Sequence, residues 1–347
     1  MKALVFQGPG KKTVSEHPKP VIIDPTDAIV KIVKTTICGT DLHILKGDVK
    51  TCTAGRVLGH EGIGIIETVG SGVTAFKEGD NVLISCITSC AKCDYCRKGM
   101  YSHCKDGGWV LGNTIDGTQA EYTRIPHADT SLYKIPPEAS QNAIVMLSDI
   151  FPTSMECGIL NGQVKPGKTV AIVGAGPIGL AALLTARLYS PAQLIVIDID
   201  SNRLEIAKRL GATAIINNAD EQAIEKVMQL TDGYGVDTAI EAVGIADTFV
   251  LCEDIVAPGG TIANIGVHGF KADLHLERLW SHNISITTRL VDTVTTPMLL
   301  KMVCSKQLDP TLLISHHFKF DDILDAYDTF EQAADTQALK VIIDVSV

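Results

Sequence analysis

An apolar run, Val170-Ala171-Ile172-Val173, leads directly into Gly174-Ala175-Gly176-Pro177-Ile178-Gly179 and from there into a helical pattern. The spacing G-x-G-x-x-G carries a mechanism only in this strand–turn–helix setting. Gly174 permits the tight turn, Gly176 lets the backbone approach a pyrophosphate, and Gly179 lets helix and strand pack closely. Pro177 suits the first helical turn, where its missing N–H costs nothing, and Ile178 continues that turn. The helix N-terminus then offers free N–H groups and a positive dipole end to phosphates. From about Lys168 onward, β-type runs (169–173, 194–198, 214–217, 236–242, 261–267, 284–290) alternate with helical ones (177–189, 201–210, 221–230, 246–256). That alternation predicts βαβ units on a doubly wound parallel sheet, and the chain reads as α/β.

The second strand of this series ends at Asp198, about 20 residues beyond the glycines, where an acid meets the adenosine ribose of a dinucleotide. A carboxylate there accepts from both ribose hydroxyls and repels a 2′-phosphate, which selects NAD over NADP. Arg203, five residues on, covers the adenosine side and argues the other way.

The first 148 or so residues read differently. Short β-rich segments (28–33, 63–69, 81–84) are separated by turns such as Gly70-Ser71-Gly72 and Gly79-Asp80. A length of 347 residues suggests two domains. The expected division is a first domain over 1–149, rejoined by a tail over 296–347, and a second over 150–295; the tail contains a helix at 296–305 and a closing strand at 340–345. Periodicity alone does not say where that tail packs. The formal charge of −10 argues against a nucleic-acid or anionic-membrane surface. The opening residues lack a signal peptide's apolar core, and no apolar stretch approaches a bilayer span, so a cytoplasmic location is expected.

Four of the ten cysteines, Cys90, Cys93, Cys96 and Cys104, fall within 15 residues. In a reducing compartment such a cluster points to metal rather than disulfides. Four thiolates close around one tetrahedral Zn²⁺ and leave it no open position, so the expected role is structural. An iron–sulfur cluster is the competing use, but the last spacing does not match the bacterial ferredoxin run. A catalytic zinc needs three protein ligands and one exchangeable position. Cys38, in Cys38-Gly39-Thr40-Asp41-Leu42-His43, and His60, in Gly59-His60-Glu61, supply two suitable donors beside glycine turns. Taken singly, each is equally an inert buried thiol or a hydrogen-bonded core histidine. Nothing in the spacing joins them.

Taken in order, these marks resemble the zinc-containing medium-chain alcohol dehydrogenases over essentially the full length. They are Cys38 to His43, Gly59-His60-Glu61 with Gly64, Gly79-Asp80-Asn81-Val82, the four-cysteine lobe and Gly174 to Gly179. The resemblance implies a GroES-like catalytic domain, a Rossmann domain and two zinc ions per chain, the catalytic one in the cleft between the domains. It implies Cys38 and His60 as catalytic-zinc ligands and Asp149 as the third, where many members carry cysteine. Glu61 is then a neighbouring carboxylate able to enter the zinc shell during exchange, and Asp41 fixes the orientation of His60. A thiolate and a carboxylate make a formally neutral zinc site, more polarising than one with two thiolates.

Zinc lowers the pKa of the alcohol bound in its open position. Thr40, two residues from a ligand, is placed to accept the departing proton. By resemblance the relay continues through the cofactor ribose to His43, which passes the proton to solvent. Lys340 corresponds to a basic residue that faces the pyrophosphate, or else is a plain surface lysine. By resemblance Ile87, Trp109, Leu290 and Val291 line the substrate pocket, although Trp109 serves equally as domain packing. A compact apolar pocket suggests a small secondary alcohol or ketone as substrate. Polyol-, threonine- and formaldehyde-acting relatives are the alternatives, and a non-catalytic nucleotide-sensing relative is expected to lack the catalytic-zinc set. The family's nucleotide domains commonly pair through the strand near 284–290, so a homo-oligomer, dimer or tetramer, is expected.

Overall fold

The computed structural model describes residues 1–345. In chain order its strands are β1 (Lys2–Gly8), β2 (Lys11–Glu16), β3 (Ala28–Thr36), β4 (Gly62–Val69), β5 (Asn81–Ile84), β6 (Tyr122–Ile125), β7 (Leu132–Lys134), β8 (Thr169–Val173), β9 (Gln193–Asp198), β10 (Ala214–Asn217), β11 (Val236–Glu241), β12 (Val256–Asn264), β13 (Ser285–Thr288), β14 (Ile314–Lys319) and β15 (Lys340–Asp344). They fall into two compact units, Met1–Pro152 with Val291–Val347, and Thr153–Leu290.

In the first unit β1 and β2 form a hairpin, and a larger sheet runs β14-β15-β3-β4-β5-β7 with β6 on β3. The tail therefore returns: β15 lies antiparallel to β3, with Ile342 opposite Thr36, and parallel to β14. Strand β3 carries the sheet because most of its side chains are buried, in a run broken by the exposed Lys31. A core of Leu4, Phe6, Ile37, Ile44, Tyr327 and Val341 packs the tail against the start of the chain. An eight-residue helix, Gly39–Lys46, which the β-rich pattern did not suggest, follows β3 and ends on Gly47 in the left-handed conformation.

The second unit is a six-stranded parallel sheet ordered β10-β9-β8-β11-β12-β13. Helices Pro177–Arg187, Ser201–Arg209, Ala223–Leu230 and Ala246–Ile255 connect the strands. Its central strand β8 has four of its five residues buried, as a strand covered on both faces must. Strand β12 begins five residues earlier than its apolar run suggests, because Pro258-Gly259-Gly260 is carried as an irregularity opposite Val236 to Thr238.

The return to the first unit falls at Leu290–Val291, earlier than a boundary at 295. Hydrogen bonds explain the difference. Asp292 accepts from the Ser102 N–H and hydroxyl at 2.8 and 2.7 Å. Thr293 bonds the Ser85 hydroxyl at 2.9 Å and accepts from Tyr133 at 3.2 Å. Among the described residues, no helix is long and apolar enough to cross a membrane.

Candidate active site

In the first unit three segments far apart in sequence converge. Donor atoms of Cys38, His60 and Asp149 all lie within 4.8 Å of one another. Asp149 Oδ2 is 3.3 Å from His60 Nε2 and 3.8 Å from Cys38 Sγ. Each member is fixed by its own backbone setting. Cys38 caps the helix Gly39–Lys46, and Asp41 in the first turn accepts the Cys38 N–H at 2.9 Å. His60 precedes β4, and its Nδ1 faces Asp41 Oδ1 at 3.7 Å. Asp149 is held beside β4 by its neighbour: the Ser148 hydroxyl accepts from Gly62 N at 3.0 Å and donates to Gly62 O at 3.2 Å. Burial opposes a charge on His60, yet the bond to Asp149 and the nearby Cys38 outweigh it and hold the imidazole well above its usual pKa of 6.5. A thiolate, an imidazole and a carboxylate in this arrangement suit zinc with one position left open.

The four cysteines also converge, with Cys90, Cys93, Cys96 and Cys104 sulfurs within 4.8 Å of one another. Backbone N–H groups of Cys96 and Lys105 bring Cys93 down to about 6. Burial pushes Cys96 up to about 12. A loop that pulls two thiols, Cys90 and Cys93, toward their anions while crowding Cys96 and Cys104 against them suits a divalent cation, which supplies the missing charge.

In the second unit the glycine turn follows β8 directly. Gly174 has φ of +108°, and a side chain at Gly179 would meet Gly174 O at 1.9 Å, so turn and helix pack as tightly as the spacing requires. Gly176 is different: a Cβ there would approach nothing nearer than Arg203 Nη1 at 3.9 Å. The space it leaves faces a cavity of about 330 Å³ lined by Gly174, Gly176, Asp198, Arg203, Val243 and Thr248. Asp198 accepts from Ala175 N at 2.6 Å through Oδ2 and from Asp200 N at 2.9 Å through Oδ1. Arg203 Nε stands 3.8 Å from Asp200 Oδ2. Pro177 and Ile178 open the helix.

The family models for the alcohol dehydrogenase GroES-like domain and for zinc-binding dehydrogenases match residues 24–137 and 177–303. The chain is 37% identical to an alcohol dehydrogenase of Cupriavidus necator, over 99% of this chain and 98% of that one. It is 33% identical to an NADP-dependent isopropanol dehydrogenase of Thermoanaerobacter brockii, with 94% and 95% covered. The solved zinc-dependent alcohol dehydrogenase 2 of Streptococcus pneumonia superposes with a TM-score of 0.96 at 55% identity, over 100% of this chain and 99% of that one. The chain belongs to the zinc-containing medium-chain alcohol dehydrogenase family.

Several residues of this dehydrogenase sit where sequence did not put them. Lys340 is 2% exposed, and its ammonium bonds Glu61 Oε2 in the first unit. Burial to this degree corrects the surface-lysine alternative, and the ammonium is directed at Glu61. Glu61 stands outside the three-residue donor cluster; the same Oε2 also accepts from the Thr36 hydroxyl. Thr40 Oγ1 lies 3.7 Å from Cys38 Sγ. His43, one helical turn further, bonds Asp48 Oδ2 through Nδ1 at 2.9 Å. Trp109 meets His60 edge-on at 6.1 Å between ring centres and packs on the core around Leu4 and Tyr327. Ile87 and Val291 are buried in the first unit, whereas Leu290 is 44% exposed in the second. Sequence reasoning missed Ser148, Cys86, Thr36 and Asp48. Adjacency to a motif was their only signal.

Two outcomes follow for this dehydrogenase. Because His60 must be neutral to bind metal and its pKa is raised above 6.5, protons compete with zinc well past neutrality. Zinc affinity of the three-ligand site should climb as pH rises through that range and fall on acidification. A competitive-chelator titration across pH reads it; a flat profile above neutrality would contradict it. Lys340→Met should strand the Glu61 carboxylate in the core and destabilise the fold by about 3–5 kcal/mol. Adding Glu61→Gln should recover most of that loss, as measured by denaturant unfolding.

Proposed function

We propose that the chain is an NAD-linked dehydrogenase of small, preferentially secondary, alcohols and their ketones. The observation that carries this reading is the convergence of Cys38, His60 and Asp149 within 4.8 Å, in a chain that also holds a dinucleotide turn. When bound, zinc supplies Lewis acidity to the alcohol oxygen and NAD supplies the hydride acceptor. The chain's own residues handle the proton. Thr40 Oγ1, beside Cys38 Sγ, accepts it from the alcohol. His43, three residues on and so on the same helix face, passes it outward from Nε2 while Asp48 holds Nδ1.

Cofactor choice rests on charge. Asp198 and Asp200 stand together at the end of β9, and Arg203 is shared with Asp200. A 2′-phosphate would meet two carboxylates there, while ribose hydroxyls would find acceptors. The Thermoanaerobacter relative, named for NADP and isopropanol, supports the secondary-alcohol substrate and not the cofactor. Trp109, edge-on to His60 at 6.1 Å, sets an aromatic ring beside the metal cluster, which favours a compact apolar substrate over a polyol.

A homo-oligomer accompanies this reading. Among the described residues, strand β13 pairs only with β12, and Phe270, Leu276 and Trp280 nearby are 94%, 58% and 79% exposed. An open strand edge flanked by apolar side chains suits a second copy. None of the ten cysteines is joined in a disulfide, in keeping with a reducing, cytoplasmic setting.

Initial rates with NAD and NADP over a panel of small alcohols, ketones and polyols test the main reading. NAD should be preferred at least about tenfold, a difference of about 1.4 kcal/mol, and Asp198→Ala should erase most of it. Cys38→Ser should abolish turnover while one zinc per chain is retained. Full activity in that variant, or NADP preference in the parent, would sink the proposal. Trp280→Glu should shift the assembly toward monomer in light scattering.

A further inference from the structure

A fourth side chain approaches the metal cluster without belonging to it. Cys86 lies just beyond β5, is 2% exposed, and its Sγ stands 3.5 Å from Asp149 Oδ1. The contact is built by the backbone: Cys86 N–H donates to Ser148 O at 3.1 Å, the residue whose hydroxyl ties this segment to Gly62. The two oxygens of Asp149 are therefore used differently. Oδ2 faces His60 Nε2 and Cys38 Sγ, at 3.3 and 3.8 Å, while Oδ1 faces a buried thiol.

We propose that Cys86 is a positioning residue whose S–H donates to Asp149 Oδ1, keeping that oxygen off the metal so that Asp149 ligates through Oδ2 alone. The inference rests on the reading of Cys38, His60 and Asp149 as the catalytic-zinc ligands. A carboxylate can bind a cation with one oxygen or with both. A donor on the far oxygen decides for one, and a one-oxygen carboxylate leaves the fourth corner of a tetrahedral site open for substrate. Hydrogen-bond partners of metal ligands orient them and tune the metal in this way. A thiol is a weak donor, so it restrains Asp149 without locking it.

The test uses the full-length enzyme with cobalt(II) exchanged into the three-ligand site. In the parent, the visible d–d absorption should be the intense pattern of a four-coordinate ion. Cys86→Ala should let Oδ1 swing onto the metal, weakening that absorption toward a five-coordinate pattern. Zinc release to a chelator should change by about tenfold, the lower end of what such partners contribute. Cys86→Ser keeps a donor and should restore the parent spectrum. A merely structural role for Cys86 would move stability and leave the spectrum alone, so unchanged absorption in Cys86→Ala overturns the proposal. If serine and alanine give the same altered spectrum, the donor is not the cause and the proposal also falls. Cys38→Ser separates the two levels. If it loses the cobalt signal while the Cys86 variants are spectrally silent, the zinc site stands and the role of Cys86 does not. If the parent itself takes no second metal equivalent, both fail.

Discussion

The Ser148 hydroxyl, bonded to both the N–H and the carbonyl of Gly62, is the tie on which the metal centre depends. It acts together with the Cys86 N–H, which donates to Ser148 O, to hold Asp149 beside His60 across a separation of 89 residues. A serine hydroxyl suits this position because it is donor and acceptor at once, and here it saturates two backbone groups next to the strand that follows His60. The fixed frame also explains how the chain tolerates a thiol, an imidazole and a carboxylate packed together with little water. Such a cluster is costly to bury unless paired. The raised pKa of His60 records the anionic surroundings that a cation would satisfy.

Features contiguous in sequence were legible, and those made by long-range packing were not. The glycine turn could be read because its strand, its three glycines and its acid all lie within about 30 residues, one βαβ step. The four-cysteine lobe was legible for the same reason: loop closure over a short span needs no knowledge of the fold. The three-ligand site was different. Cys38 and His60 had no spacing that joined them to each other or to Asp149, and only resemblance to a family did so. The burial of Lys340 was not legible because exposure is not a property of a residue's neighbours in sequence. The flanking Leu339 and Val341 are apolar and buried with it, and its partner Glu61 is 279 positions away. The return of the tail to the first unit was expected, but its pairing of β15 with β3 was not visible in the periodicity, since it joins segments about 300 residues apart.

The charges about the metal cluster connect these observations. A divalent zinc held by a Cys38 thiolate and the Asp149 carboxylate would sum to a neutral site, which would keep more polarising power than one carrying an additional anion. Glu61, adjacent to His60 and buried, is the group that would spoil that balance. An uncompensated carboxylate so close would stabilise the cation itself and weaken its pull on a bound alcohol oxygen. Lys340 and Thr36 both address Glu61 Oε2, so the negative charge is met inside the protein before it reaches the metal. The tail of the chain thus does more than complete a sheet. By returning as β15 it delivers the ammonium that meets the Glu61 charge, and it ties the surroundings of residue 60 to the folding of the last strand.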